Sequence, residues 1–366
     1  MSSVFKKYIG VDVLTEAKKR IHHIYDIHDD VVVSFSGGKD SLAVLHLVKE
    51  VSDERGIGYV NAVFRDEEVI PFSIVEYLTR LRDEYDWMRL KWLTVPSAAH
   101  TYILGKAIRY TQWDATGARE WIRPKPAWSV NLEDLKLPAE TILHEDAMDD
   151  VLVAGFPGKI ALLNGVRADE SLVRFRSSVN KLNENYINAS NSRRANFCKP
   201  IFDWVTNDVF RYFYDRHIGY CSQYEDKMWA QDQLRVATAI NVFGMKHFKL
   251  RQTDPALYQR VMEIWPELAV QERYWRDLAA IEVQDVQSFE DVYDWIRKNL
   301  SGHARTTATK HAKSCEIMAL KIPRMYPPSY VLHTIRSGEG IRHMIMPLSI
   351  SEQKNSKFNA PRTATN

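Results

Sequence analysis

A lysine, an aspartate and two serines stand around two adjacent glycines in Ser36-Gly37-Gly38-Lys39-Asp40-Ser41. These residue types at this spacing suit an anion. Glycine lets the backbone approach a ligand closely, and the free N–H groups that open a helix point at bound phosphate. Lys39 adds a mobile positive charge, and Asp40 or Ser41 can cap the helix. The G-x-x-x-x-G-K-[ST] spacing of the common nucleotide loop is absent. To work, the loop must be delivered by a buried strand and continued by a helix, and both patterns are present. Val31 to Phe35 (VVVSF) is an apolar, β-branched run, and Leu42 to Val48 (LAVLHLV) has helical character.

A second set lies about 130 residues on. Gly165-Val166-Arg167-Ala168-Asp169-Glu170-Ser171 follows Lys159 to Asn164 (KIALLN), which reads as another strand. Arg167 can neutralise a phosphate bidentately, and Glu170 can cap the next helix or hold a metal. Between Arg167 and Lys199, seven cations (Arg167, Arg174, Arg176, Lys181, Arg193, Arg194, Lys199) face three acids, a net +4 beside the expected anion site. That stretch suits a triphosphate, a second anionic substrate, a nucleic-acid backbone or plain solvation.

The positioning elements form a regular series. Val13 to Ile27 spaces Leu14, Ala17, Ile21 and Ile24 for one helical face. Gly58 to Phe64 reads as a second strand, Ile70 to Leu81 as a helix, and Leu90 to Val95 as a third strand closed by Pro96. This alternation predicts an α/β fold with a doubly wound, mostly parallel sheet, whose ligands sit beyond the carboxyl ends of the strands. Ser36 to Ser41 and Arg65 to Glu68 both fall there. Thr101 to Glu145 breaks the rhythm with Trp113, Trp121 and Trp128 among Arg109, Arg119, Arg123 and Lys125. It reads either as an insertion over the site that stacks a base or covers a phosphate, or as a tryptophan mini-core with arginine stems packed on it.

The Ser36–Ser41 loop resembles the PP-loop of the ATP pyrophosphatases, whose S-G-G-x-D-S signature it matches at every fixed position. Gly165 to Ser171 resembles the G-x-R-x-x-E-S element of the phosphoadenylylsulfate (PAPS) reductase branch. Lys199-Pro200-Ile201-Phe202-Asp203-Trp204, with Asp208 and Val209, looks like that branch's P-[IL]-x-x-W-x-x-x-D-V segment, an architectural element. The opening, with Asp66-Glu67 after the second strand, is similar to the IbrA and DndC type of reductase-like proteins.

The resemblance implies a Rossmann-like sheet of the adenine nucleotide alpha hydrolase type in residues 1–222, with the insertion at about 101–145. No family motif covers the C-terminal third, where sequence pattern itself predicts a helical region, 223–300, and a basic region, 301–366, a mainly helical C-terminal extension with a disordered tail from about Ser351. The implied activity is cleavage of ATP between the α- and β-phosphates, giving AMP or an adenylylated acceptor, in nucleic-acid or sulfur-related modification. Lys39 and Arg167 are then the catalytic charges. The nucleotide set is Ser34, Ser36, Gly37, Gly38, Lys39, Asp40, Ser41, Arg65, Asp66, Gly165 and Arg167, with Asp40 and Glu170 as metal ligands. ATP and Mg²⁺ are the expected cofactors.

Three cysteines, Cys198, Cys221 and Cys315, include no C-x-x-C pair, so neither an iron–sulfur cluster nor zinc is expected. A true reductase would carry an E-C-G-[LI]-H cysteine, and the nearest candidate is Cys315 in Lys313-Ser314-Cys315-Glu316, near Lys310 and His311. The alternatives are therefore a thiol oxidoreductase using Cys315 and a non-catalytic ATP- and DNA-binding regulator. No segment approaches the ~20 apolar residues of a membrane span and no signal-peptide pattern opens the chain, so a cytoplasmic protein is expected. Ser301 to Asn366 carries ten Lys and Arg against three Glu and no Asp, a net +7 in a chain of net +2. That imbalance favours an anionic partner such as nucleic acid or an acidic protein surface, and a homodimer is compatible with it.

Overall fold

The computed structural model describes residues 10–103, 106–179, 183–230, 234, 248–270, 272–273, 286–336, 338–342 and 344–348. Two compact units divide the chain: Met1–Ala99, Thr111–Ala239 and Phe248–Ile264 form one, and His100–Tyr110, Ile240–His247 and Trp265–Asn366 the other.

The first unit opens with α1 (Val13–Ile27), β1 (Asp30–Ser34), α2 (Lys39–Glu54), β2 (Val60–Arg65), α3 (Phe72–Glu84) and β3 (Met88–Leu93). Two further strands, β4 (Ser97–Ile103) and β5 (Lys106–Gln112), make a separate ribbon. Then come α4 (Glu145–Leu152), β6 (Ile160–Leu163), α5 (Leu172–Val179), β7 (Ile187–Ala189), β8 (Ala195–Cys198), α6 (Thr206–Arg216), α7 (Gln223–Trp229), α8 (Phe248–Thr253) and α9 (Pro255–Ile264).

The main sheet runs β3-β2-β1-β6-β8-β7, parallel throughout except for β7 against β8. This is the α/β, Rossmann-like sheet expected from the alternating pattern. Its central strands are apolar on both faces because helices cover both. Val31, Val33, Ala62, Phe64, Ala161 and Leu163 pack with α1, α2, α3 and α6, whereas Val32, Val63, Ile160 and Leu162 pack with Met148, Val151 and Leu152 of α4. A one-residue slip would exchange the two faces, and at roughly 1.5–3 kcal/mol per buried Val, Leu or Ile the register is firmly held. The chain leaves β1 toward β2 and β3 and later returns to β1's other side as β6. The carboxyl ends of β1 and β6 therefore flank the point where the winding reverses, the place where such sheets bind ligands.

The second unit is helical among its described residues outside the ribbon. Here α10 (Phe289–Asn299), α11 (Gly302–Ala319), α12 (Pro328–Arg336) and α13 (Glu339–Arg342) share a core of Val292, Ile296, Ala308, Ala312, Val331 and Ile335. By apolar pattern alone, Tyr330–Ile335 and Ile341–Met346 also read as two short strands. The first is helix α12: Pro328 sits in its opening turn, where its missing N–H costs nothing, and Val331 and Ile335 recur at i, i+4 on the buried face. In the second, α13 covers the start, and 344–348 has no regular structure. Short β-branched runs do not distinguish strand from buried helix. The tail expected to be disordered, from Ser351, lies outside the described residues, as does Lys181.

Candidate functional site

Gly37 takes φ +73°, a conformation L side chains rarely adopt, and a Cβ there would also meet Ile74 and Leu78 at 3.1 Å. The chain thus turns sharply out of β1 and re-enters α2 at Lys39. The loop is tied across itself: the Ser41 hydroxyl accepts the Ser36 N–H (3.2 Å), meets the Ser36 hydroxyl at 3.0 Å and donates to the Gly38 carbonyl (3.0 Å). Helix α2 has no side-chain cap from Gly38. Its first amide, Lys39 N–H, donates instead to the Tyr224 hydroxyl at 2.7 Å. The Lys39 ammonium is buried against Asp40, Nζ to Oδ2 2.6 Å, and burial pulls its pKa below the ordinary 10.5, with Asp40 opposing that shift.

Gly165 brings the second motif onto the first. A Cβ at Gly165 would stand 2.5 Å from the carbonyl carbon of Asp40 and 2.7 Å from Ser41 N, so the loop after β6 presses on the first turn of α2 and only glycine fits. Arg167 is 3% exposed and reaches Asp40 (Nε to Oδ1 2.9 Å), Asp169 (3.3 Å) and the Thr206 hydroxyl, to which Nη2 donates at 3.1 Å. The approach to Asp40 is an ion pair without an aligned hydrogen bond: Arg167 Nε and Asp40 Oδ1 each lack a hydrogen-bonding partner, and so does Asp169 Oδ1. Lys39, Arg167, Asp40 and Asp169 balance in formal charge, so an incoming anion competes with the two carboxylates for the two cations.

Glu170 is a capping residue. Its carboxylate accepts the Arg167 N–H at 3.2 Å and pairs with Arg174. Asp40 is likewise held by Lys39 and Arg167. Among the described residues no group of three or more His, Cys, Asp or Glu is placed to hold a metal ion. The two carboxylates expected as metal ligands, as they stand, do not fit Mg²⁺.

The acidic loop after β2 has a different role from the one its position suggested. Asp66 is 2% exposed; its carboxylate accepts from Arg123 (2.6 Å), Trp92 Nε1 (2.7 Å) and the Glu68 N–H (2.9 Å). Burial nevertheless pushes its pKa above the ordinary carboxylate value, Arg123 opposing. Glu68, fully buried and at φ +61°, accepts both Arg119 nitrogens (2.7 and 2.6 Å) and the N–H groups of Ile122 and Trp113. Trp113 and Trp121 meet edge to face at 5.6 Å, with Arg123 and Lys125 over their rings. In its described part the insertion is a tryptophan mini-core clamped to the β2 loop. Of the pair Asp66-Glu67, whose place after the second strand makes it a candidate for metal or ribose, Asp66 is buried and occupied rather than exposed and waiting for either.

Other expected residues are dispersed. Ser34 ends β1 in register with Val63. Arg65 ends β2, and the carboxylate feeling its charge is Asp149 of α4. In the basic stretch, Lys199 Nζ donates to the Ser177 carbonyl at 2.8 Å, Arg174 holds Glu170 and Arg194 donates to backbone carbonyls of 156 and 158. Trp204 is 1% exposed and donates to the Val13 carbonyl, while Asp208 caps α6 by accepting the Val205 N–H. That element is architectural. Cys198, Cys221 and Cys315 are buried, and burial pushes Cys198 and Cys315 up to about 12. Tyr224, Thr206 and Gln223, whose buried Oε1 lacks a partner, had no sequence signal linking them to the loop.

An α/β, mostly parallel sheet with two glycine motifs meeting at its switch point defines the class of this chain. The phosphoadenosine phosphosulfate reductase domain matches residues 30–261, and the chain belongs to that family. The uncharacterized protein YbdN of Escherichia coli (strain K12) is 25% identical over 237 residues, 62% of this chain and 57% of that one. The match thus spans little more than half of that relative. Similar solved structures include Candida glabrata FMN adenylyltransferase with FMN and AMPCPP (12% identity, 58% of each chain, TM-score 0.37). Candida auris PAPS reductase in a phosphate complex is 13% identical over 57% of this chain and 82% of that one, TM-score 0.31. The U34-tRNA thiolase NcsA of Methanococcus maripaludis with its [4Fe-4S] cluster is 13% identical over 75% and 82%, TM-score 0.36.

NcsA corrects the cofactor expectation. The expectation of ATP and Mg²⁺ comes from the resemblance; only the exclusion of an iron–sulfur cluster and zinc rests on cysteine spacing, and NcsA is recorded with a [4Fe-4S] cluster. Spacing of three cysteines does not decide the point. No helix among the described residues is long and apolar enough to cross a membrane.

Proposed function

We propose that this chain cleaves ATP between the α- and β-phosphates, releasing pyrophosphate and leaving AMP or an adenylylated acceptor. The observation that carries the reading is the contact of Gly165 with Asp40, which joins the Ser36–Ser41 loop and Arg167 into one cradle at the sheet's switch point. Cleavage there loads negative charge onto the departing pyrophosphate. Loop amides, Lys39 and Arg167 supply fixed positive potential for it in a buried setting, where such interactions are strongest. Membership of the PAPS reductase family supports a nucleotide substrate.

The test follows the full chain with ATP labelled at the α-phosphate and a divalent cation, with and without nucleic acid. Labelled AMP or a labelled acceptor, with pyrophosphate, is expected, and Lys39→Ala abolishes it. ADP with inorganic phosphate overturns the mechanism. Bound ATP without any product favours the second reading, a nucleotide-binding regulator of nucleic acid. Helix α11 supports that partner class: Arg305, Lys310 and Lys313 are exposed and no acidic residue falls between 301 and 315. The Cys315 oxidoreductase has less support, since the thiol is 3% exposed and held protonated by burial.

A further inference from the structure

The Lys39 amide belongs to the set a bound phosphate would take, yet it is already given to a phenol. Tyr224, on α7 and 185 residues downstream, is 1% exposed, with its ring in the first unit's core beside Tyr220. A phenol oxygen that accepts a hydrogen bond keeps its own proton to donate. Among the described residues that proton has no acceptor. Lys39 Nζ lies 5.8 Å from the ring centroid, and the charges of Asp40 and Arg167 both act on the hydroxyl, so it sits inside the cradle. Arg167 supplies an independent observation: 97% buried, it holds Nε without a hydrogen-bonding partner. Two buried donors lie at the same loop: the phenol proton has no acceptor among the described residues, and Arg167 Nε stands 2.9 Å from Asp40 Oδ1 without an aligned hydrogen bond. An oxyanion supplies what both lack.

We propose that Tyr224 is a phosphate ligand of this site: its hydroxyl accepts the Lys39 N–H and donates its own proton to a non-bridging oxygen of the nucleotide's β- or γ-phosphate. The inference rests on the ATP reading above and extends the opening of α2 by one donor. An amide that donates to the phenol oxygen polarises the O–H bond and strengthens its donation. Burial holds the phenol's pKa above its usual value, so the donor stays protonated at neutral pH.

The test is calorimetric titration of the full chain with inorganic pyrophosphate. Tyr224→Phe keeps the ring, removes the donor and is expected to bind roughly ten-fold more weakly, with unchanged melting temperature and circular dichroism. Site-specific 3,5-difluorotyrosine at 224 keeps the hydroxyl, makes it a better donor and is expected to bind several-fold more tightly. Equal or tighter binding by Tyr224→Phe overturns the inference and marks the hydroxyl as a plug that phosphate displaces. Should Tyr224→Phe not fold, unchanged or weaker binding by the fluorinated protein overturns it instead. A wild-type chain that binds neither pyrophosphate nor ATP overturns the ATP reading, and this one with it. Wild-type binding that Tyr224→Phe leaves untouched overturns this one alone.

Discussion

Two loops leave the carboxyl ends of neighbouring strands, and each pairs carboxylates with arginines, but they finish differently. After β2, Asp66 and Glu68 have every carboxylate oxygen filled by aligned N–H donors from the insertion, from Trp92 of β3 and from the loop itself. Arg123 keeps two buried nitrogens unpartnered, its guanidinium carbon 5.0 Å from the Trp113 ring centroid. After β1, Asp40 and Arg167 lie 2.9 Å apart with unaligned atoms, and Asp169, which Arg167 also reaches, keeps one buried oxygen unpartnered. Buried polar groups are normally satisfied, so a cluster of exceptions points to a missing partner. Saturated carboxylates mark the first loop as a clamp, and unsaturated ones fit the second as the proposed phosphate receptor.

The comparison breaks first at Glu68. Glu68→Ala takes the carboxylate away from Arg119 and leaves the Trp113 and Ile122 amides buried without their acceptor, an expected loss of about 3–5 kcal/mol in stability, read by chemical denaturation. Below its melting temperature this variant should still bind pyrophosphate; loss of binding in a folded protein would erase the distinction between clamp and receptor. Gly165→Ala should do the converse. Its Cβ must push the Asp40 backbone away, an expected 1–3 kcal/mol, roughly, in stability and at least about ten-fold in pyrophosphate affinity. The smallest effect sharpens the picture through pH. Because the folded chain holds the Lys39 pKa below 10.5, the ammonium loses its proton earlier than in the unfolded chain. Pyrophosphate affinity should therefore fall as pH rises through that lowered value. Stability should rise over the same interval, since the unfolded state there binds more protons. Lys39→Arg should flatten both profiles, as titration calorimetry and melting across pH 8 to 10.5 would report.

Much of the receptor was legible because it is local. Strand, glycine turn and helix are encoded within residues 31–48, and Gly165 with Arg167 repeats the device after β6. The clamp was not legible. Asp66 and Glu68 look like loop carboxylates until Trp113, Arg119, Ile122 and Arg123, about 50 residues away, are folded onto them. The helices α12 and α13 were missed for another reason: short runs of β-branched residues satisfy both periods, and burial against α10 and α11 chose between them.

From the sequence alone came the parallel α/β sheet, the anion loop and its second motif, since each depends on apolar period or on glycine at a turn. Tertiary structure decided which charges were free. It tied Asp66 and Glu68 into the insertion, set Lys199, Arg174 and Arg194 on other partners, buried Cys315, and carried Tyr224 across 185 residues to the Lys39 amide. Whether a polar group is satisfied depends on neighbours distant in the chain, and no local pattern records them.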